Sequence, residues 1–322
     1  MARAVRPRPL PEVGGRPTGA GAGADAARLL DDHGVVLLRN WVDTRPLRAA
    51  AAAIAEVLVE AGCAVEGPAV EGPAVGGATT LRPGPDAWGT LTASAELRQV
   101  FRRICCVEEL HGLAHQSSLL GLVGRLLGTD DVLVHPRPVC RVVAPVGHAL
   151  DGPTPAHQDH ANMQGSPRAL VAWMALVDCP LEAGPLQVAD ASHRRGPRPH
   201  SFRAGSGVAT CPVEDLDADW LASDLGVGDV VVFDANSVHA ALENRSGRFR
   251  LSVDVRYQPT AEPVCQLSLG GYGDLSWDEI YAAWDRRGAP AVGGPAPRHY
   301  WRDLDLSVVA YDSSSWAART EA

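Results

Sequence analysis

The sequence predicts an all-β sandwich or barrel core braced by helices. Three observations carry that prediction. The first third of the 322-residue chain repeats its apolar residues at helical spacing. From about residue 129 the pattern changes to short Val-rich segments separated by Gly, Pro or Asn. The helices come first and the strands follow as a block, which points to a β core with helical bracing.

The elements are expected in this order. Residues 1–24, rich in Pro, Gly and Arg, read as a flexible tail without the apolar stretch of a secretory signal. DAARLLDDHG (25–34) reads as a helix closed by Gly34, and VVLLRN (35–40) as a strand. VDTRPLRAAAAAIAEVLVEAG (42–62) reads as a helix with Asp43 or Thr44 as N-cap, Pro46 near the first turn and Gly62 as its stop. Residues 63–85, with the short repeat VEGPAVEGPAV, read as a surface loop. Helical periodicity resumes over about 94–128.

Strands are expected in DVLVHPRPVCRVVAPV, RALVAWMALVDC, GPLQVAD, GDVVVFDAN, SVHAALEN and RFRLSVDVRYQP. Helix is expected again in SWDEIYAAWDRR and in RHYWRDLDLSVVAYD. One domain over 25–322 follows, with bracing at about 25–128, the core at about 129–260 and an extension at 261–322.

Composition narrows the function. The formal net charge of −9 argues against nucleic-acid or anionic-membrane partners, and no segment has the length of a membrane span. Seven cysteines with no C-x-x-C pair argue against a disulfide framework and for a cytoplasmic protein.

The stretch TPAHQDHANM (154–163) sets His157 and Asp159 two residues apart. In a strand both would face one side, as a metal half-site or a buried ion pair. His239 lies on a later strand and completes the two-His, one-carboxylate set that holds non-haem Fe(II). Arg250, eleven residues further, could grip a dicarboxylate bidentately, with Ser252 on its face.

HQD (157–159), GPLQVADASHR (184–194), His239 and Arg250, in that order, resemble the phytanoyl-CoA dioxygenase family over roughly residues 25–260. The resemblance implies a double-stranded β-helix of the jelly-roll, cupin-like kind. It implies iron bound by His157, Asp159 and His239, and 2-oxoglutarate bound by Arg250 with help from Ser252. It implies hydroxylation of an unactivated carbon of a small organic molecule, using O₂ and releasing succinate and CO₂. Desaturation or ring closure is an alternative outcome. A non-catalytic barrel binding a metal or a small molecule is the rival class.

Two positions depart from the family pattern: Ala241 stands where Ser or Thr is common, and Ala191-Ser192 precede His193 in place of a Pro-Gly turn. Related halogenases carry a small residue at the carboxylate position, so Asp159 favours oxygenation.

Other residues have competing readings. Trp173 flanks the cosubstrate or fills the core, and Arg141 meets a carboxylate or sits at the surface. Arg248 is the runner-up for the cosubstrate. Arg250, Ser252, Asp254 and Arg256 share one face, where Asp254 and Arg256 are expected to satisfy each other. His160 is expected on the opposite face from the triad, and His193 at a site entrance or a turn. HGLAH (111–115) reads as a helix face or a structural zinc site, and Gly112 excludes the metalloprotease motif. Pocket walls are expected from loops 63–92, 146–153 and 195–225. The substrate and the oligomeric state are not legible.

Overall fold

A computed structural model describes residues 7–14, 20–67, 80–83, 95–147, 153–202, 208–288, 290 and 292–312. Two facing β-sheets form the core, and helices cover the outer face of the larger one. The larger sheet runs Glu12–Val13, Val35–Leu38, Val230–Asp234, Leu170–Ala175, Arg250–Pro259, Val132–Val134, with Val139–Val143 also paired to Arg250–Pro259. Its pairs are antiparallel except the first, which is parallel. The smaller sheet is Trp220–Leu221, Leu186–Ala189, His239–Ala241. This is the expected jelly-roll core.

Period-two alternation explains the layering. Val36, Leu38, Ala172, Met174, Val230, Val232, Leu251, Val253 and Val255 pack outward against the helices. Val35, Leu37, Val171, Trp173, Ala175, Val231 and Phe233 pack inward against Leu186, Val188 and Leu221 of the smaller sheet. The Arg250–Pro259 strand departs from this rule on one side only. Its outward residues are apolar, yet its inward face carries Arg250, Ser252, Asp254, Arg256 and Gln258, all buried. Buried polar groups in series need partners, and those partners are the site.

Helix Thr44–Glu60 starts as expected, with the Asp43 side chain accepting from Arg45 N at 3.0 Å. Helix Trp277–Arg287 carries a full capping box between Ser276 and Glu279. The 94–128 stretch is broken into Ala95–Cys105, Glu108–Gly112 and Ser117–Leu127, the last stopped by Gly128 at φ 68°.

Three segments differ from expectation, the first being the expected loop 63–85, in which Ala64–Gly67 and Thr80–Pro83 pair as antiparallel strands. Within the stretch expected as a free tail, Glu12–Val13 pair with Leu37 and Leu38, and the first helix begins at Ala20. RHYWRDLDLSVVAYD is not helical: it forms turns and the two-residue strand Val308–Val309, paired with Val264–Cys265. Leu304 and Val308 there are exposed, so its apolar residues follow no helical stripe. HGLAH forms no metal site with other described residues. His111 is buried, bonded to Cys105 O and set edge-on against Trp277 and Trp284. Much of the expected pocket wall, including most of the VEGPAVEGPAV repeat and residues 148–152 and 203–207, lies outside the described residues.

Candidate metal centre

His157 and His239 are brought together by backbone pairing. Each donates its N–H to the other's carbonyl, at 3.0 and 2.9 Å, so the residues stand directly opposite with ring centroids 4.1 Å apart. His239 is also paired with Val188 of the GPLQV element. Gly184 begins that element at φ 74°, where a Cβ would lie 2.5 Å from Leu242 O. Only glycine lets the two chains close up there.

Asp159 arrives differently from expectation. The chain leaves extended geometry after His157, and Asp159 opens the short helix Asp159–Met163. The turn between them is pinned by Gln158. Its Nε2 donates to Gly196 O and Asn236 O, at 3.0 and 2.5 Å, and its Oε1 accepts from Arg198 N at 2.7 Å. The two ligand candidates therefore converge through a locked turn, and strand alternation is not the cause.

The donor atoms point inward. Asp159 Oδ1 lies 3.4 Å from His157 Nε2 and 3.9 Å from His239 Nε2. One donor atom from each of the three lies within 4.8 Å of the others, and among the described residues no other group of three does this. His157 Nδ1 lies 2.8 Å from Pro155 O, and His239 Nδ1 3.0 Å from Ser237 O. A carbonyl only accepts, so each Nδ1 carries the proton and each Nε2 keeps its lone pair for a metal. His157 Nε2 is buried with no hydrogen-bond partner.

Electrostatics favour the same states. Burial, then the neighbouring His157, pushes His239 down to about 3, so its imidazole is neutral. Burial alone would raise the Asp159 carboxyl, but Arg256 and the two histidines more than offset it and hold the group well below its usual range. Arg256 donates to Asp159 Oδ2 from Nε at 3.2 Å and Nη2 at 3.0 Å, leaving Oδ1 facing the histidines. The expected Arg256–Asp254 pair is the weaker one, at 3.9 Å. Two imidazole nitrogens and one carboxylate oxygen, all buried, suit a ferrous ion with open positions.

Arg250 is 2% exposed, and its Nη1 donates to Ser252 Oγ at 2.8 Å. Its Nε and Nη2 are buried without partners, and its guanidinium lies 5.9 Å from the Trp173 ring. A buried cation with two unused donors is costly unless a ligand anion completes it, so the residue fits a carboxylate. Trp173 is both a core aromatic and a wall beside Arg250. Arg141 stands opposite Ser252 across the strand pair, with Nε 3.5 Å from Asp254 Oδ2. Arg248 is half-buried in the loop before the strand.

His193 is not at this site: its Nε2 lies 3.0 Å from Asp31 O, fastening a turn to the first helix. His160 is half-buried, and its backbone N–H donates to Ala235 O. Gln158 and the Asp159 clamp formed by Arg256 were missed in the sequence, because neither has a local signature.

The sequence model of the phytanoyl-CoA dioxygenase family matches residues 30–252. A 1-deoxypentalenic acid 11-beta-hydroxylase from Streptomyces exfoliatus is 28% identical over 246 residues, covering 73% of this chain and 80% of its own. An enzyme of the same name from Streptomyces arenae is 27% identical over 248 residues, with the same coverage. The crystal structure of the non-heme α-ketoglutarate-dependent carbocyclase SnoK from nogalamycin biosynthesis is similar in fold. Its TM-score is 0.50 at 23% identity, covering 77% of this chain and 88% of that one. The chain belongs to the phytanoyl-CoA dioxygenase family and is an Fe(II)- and 2-oxoglutarate-dependent oxygenase.

Proposed function

We propose that the chain hydroxylates an unactivated carbon of a small organic molecule, with His157, Asp159 and His239 holding Fe(II) and Arg250 gripping 2-oxoglutarate. One observation carries this reading. The inner side of the two sheets carries three converging donor atoms, with the His239 ring against Phe233, and a guanidinium with two unused N–H groups near Trp173. A binding module has no use for both. When bound, Fe(II), 2-oxoglutarate and O₂ supply the oxidising chemistry and yield succinate and CO₂.

The chain's own share is positional. Pro155 O and Ser237 O hold the two imidazoles in the ligating tautomer. Arg256 occupies one oxygen of Asp159, and Ser252 steadies one arm of Arg250. Phe233 and Trp173 wall the site against water. The relatives from Streptomyces are named as hydroxylases of 1-deoxypentalenic acid, which supports a small-molecule substrate in bacterial specialised metabolism. The free cysteines support a cytoplasmic placement, and we read residues 25–322 as one oxygenase domain. No helix among the described residues is long and apolar enough to cross a membrane.

The test is anaerobic addition of Fe(II) and then 2-oxoglutarate, watching the weak visible charge-transfer band. The band is expected in the wild type and absent in His239→Ala. Iron uptake without the band would overturn the Arg250 assignment, and no iron uptake would overturn the reading as a whole. With the band in hand, succinate release reports which candidate substrates are turned over.

A further inference from the structure

The inner face beside the metal centre carries more positive charge than the chain itself neutralises. Arg250, Asp254 and Arg256 come from the long strand, Arg141 from Val139–Val143, and Arg137 from the turn before that strand. Asp159 reaches the same face through Arg256. Arg256 is satisfied by Asp159, and Asp254 is shared between Arg141 at 3.5 Å and Arg256 at 3.9 Å. Four arginines therefore face two aspartates. A divalent metal and a dicarboxylate cancel one another, so the excess of two positive charges is the same in the loaded site and the bare one.

Arg137 shows the imbalance most clearly. No described carboxylate lies within ion-pair distance of it, and Nη1 donates to Gly271 O at 3.1 Å. Its guanidinium lies 6.0 Å from the Tyr272 ring. Its Nε and Nη2 donors have no described acceptor, which leaves one guanidinium edge available. That edge matches the two oxygens of a carboxylate. Burial first, and the charge of Arg256 with it, lower the pKa of Arg137 from its usual value. The link to the metal centre is short in the chain: His135, two residues earlier, donates its N–H to Arg256 O at 2.9 Å.

The same face is open to a ligand. Along Val139–Val143, Cys140 and Val142 pack outward among the helices, whereas Val139, Arg141 and Val143 face inward and are only half-buried. They stand opposite Asp254, Ser252 and Arg250. Val139 between Arg137 and Arg141, with Val143 beyond, gives this half-buried edge of the inner face an apolar and a cationic part.

We infer that this face takes the substrate by a carboxylate seated on Arg137, with Arg141 beside it, so that the substrate is a small apolar carboxylic acid. The inference rests on the oxygenase reading above and adds the substrate's chemical class. It also gives the chain a positioning device, since an anchored carboxylate fixes which carbon faces the metal.

The test uses enzyme loaded with Mn(II) and 2-oxoglutarate, in which no turnover occurs. Cyclohexanecarboxylate and adamantane-1-carboxylate are titrated calorimetrically, each against its own neutral amide. At least one acid is expected to bind roughly tenfold or more tightly than its amide. That preference is expected to vanish in Arg137→Gln and to survive in part in Arg137→Lys. Equal binding of acid and amide, failure of both acids to bind, or an unchanged preference in Arg137→Gln would each overturn the inference. The acid–amide comparison in the wild type needs no variant to fold. Failure of Mn(II) and 2-oxoglutarate to load at the start would instead overturn the oxygenase reading, before any probe is added.

Discussion

Arg256 makes both of its hydrogen bonds to Asp159 through the same oxygen, Oδ2, and leaves Oδ1 turned toward His157 and His239. The clamp makes Asp159 a one-oxygen donor of fixed orientation. Arg256→Met is expected to weaken metal binding roughly 10–100-fold, the usual effect of removing a partner that orients a ligand. Stability should also fall by about 3–5 kcal/mol, because a buried carboxylate is left alone. Mn(II) titration and urea unfolding measure the two effects, and unchanged metal affinity would show the clamp to be structural only.

Arg250 and Ser252 should separate by degree. Arg250→Ala is expected to weaken 2-oxoglutarate binding by about 2–5 kcal/mol, a factor of roughly 30 or more, with the metal still bound. Ser252→Ala removes one neutral support and should cost about 0.5–1.5 kcal/mol. If Arg248→Ala gave the large effect instead, the cosubstrate would be gripped from the loop and not from the strand.

Trp173 serves two roles that substitution can divide. It is 3% exposed in the inner core, beside Arg250. Trp173→Ala should lose about 3–5 kcal/mol of stability through the cavity it leaves. Trp173→Phe keeps most of the packing, so a rise in the 2-oxoglutarate KM in that variant would report the contact with the Arg250 site.

Tyr257 tests the other side of the same strand. Its hydroxyl is buried and donates to Ala114 O at 2.8 Å, tying the sheet to the helical layer. Tyr257→Phe is expected to destabilise the fold by about 1–3 kcal/mol, through the unsatisfied carbonyl, without changing metal affinity. A loss of metal binding would mean that the two faces are coupled.

Acid should destabilise the protein before its carboxylates titrate. Burial holds His111, His115 and His135 down to about 4. Each takes a proton in the unfolded chain near its ordinary value of about 6.5 but not in the fold until about 4. Unfolding then takes up protons, so stability falls as pH drops from about 6.5 toward 4. Urea midpoints at pH 7 and pH 5 check the sign. His135→Gln should reduce the difference.

Most of the core was legible because its signals are local. The Val-rich runs 170–175, 230–234 and 250–259 announce strands by composition and alternation, and Ser276 with Glu279 announces a helix start. The final segment failed for the same reason. Its Trp, Leu and Val spacing imitates a helix, but those residues are divided between the Trp277 cluster and solvent.

The sequence by itself determined which residues are candidates for the metal and the dicarboxylate, His157, Asp159, His239 and Arg250, because few residue types can ligate iron or grip a dicarboxylate and their order along the chain is distinctive. It also determined that Arg250, Ser252, Asp254 and Arg256 share a face, since alternation is a property of the strand itself. Which carboxylate each arginine meets was decided by the tertiary structure alone. Asp159 lies 97 residues before Arg256, and only the fold brings it to 3.0 Å while leaving Asp254 at 3.9 Å. The convergence of Asp159 with His157 was likewise tertiary, resting on a turn that Gln158 locks to Gly196, Asn236 and Arg198. Local geometry follows from neighbours in the chain, whereas electrostatic pairing depends on distances that the packing of the sheets and the helices sets.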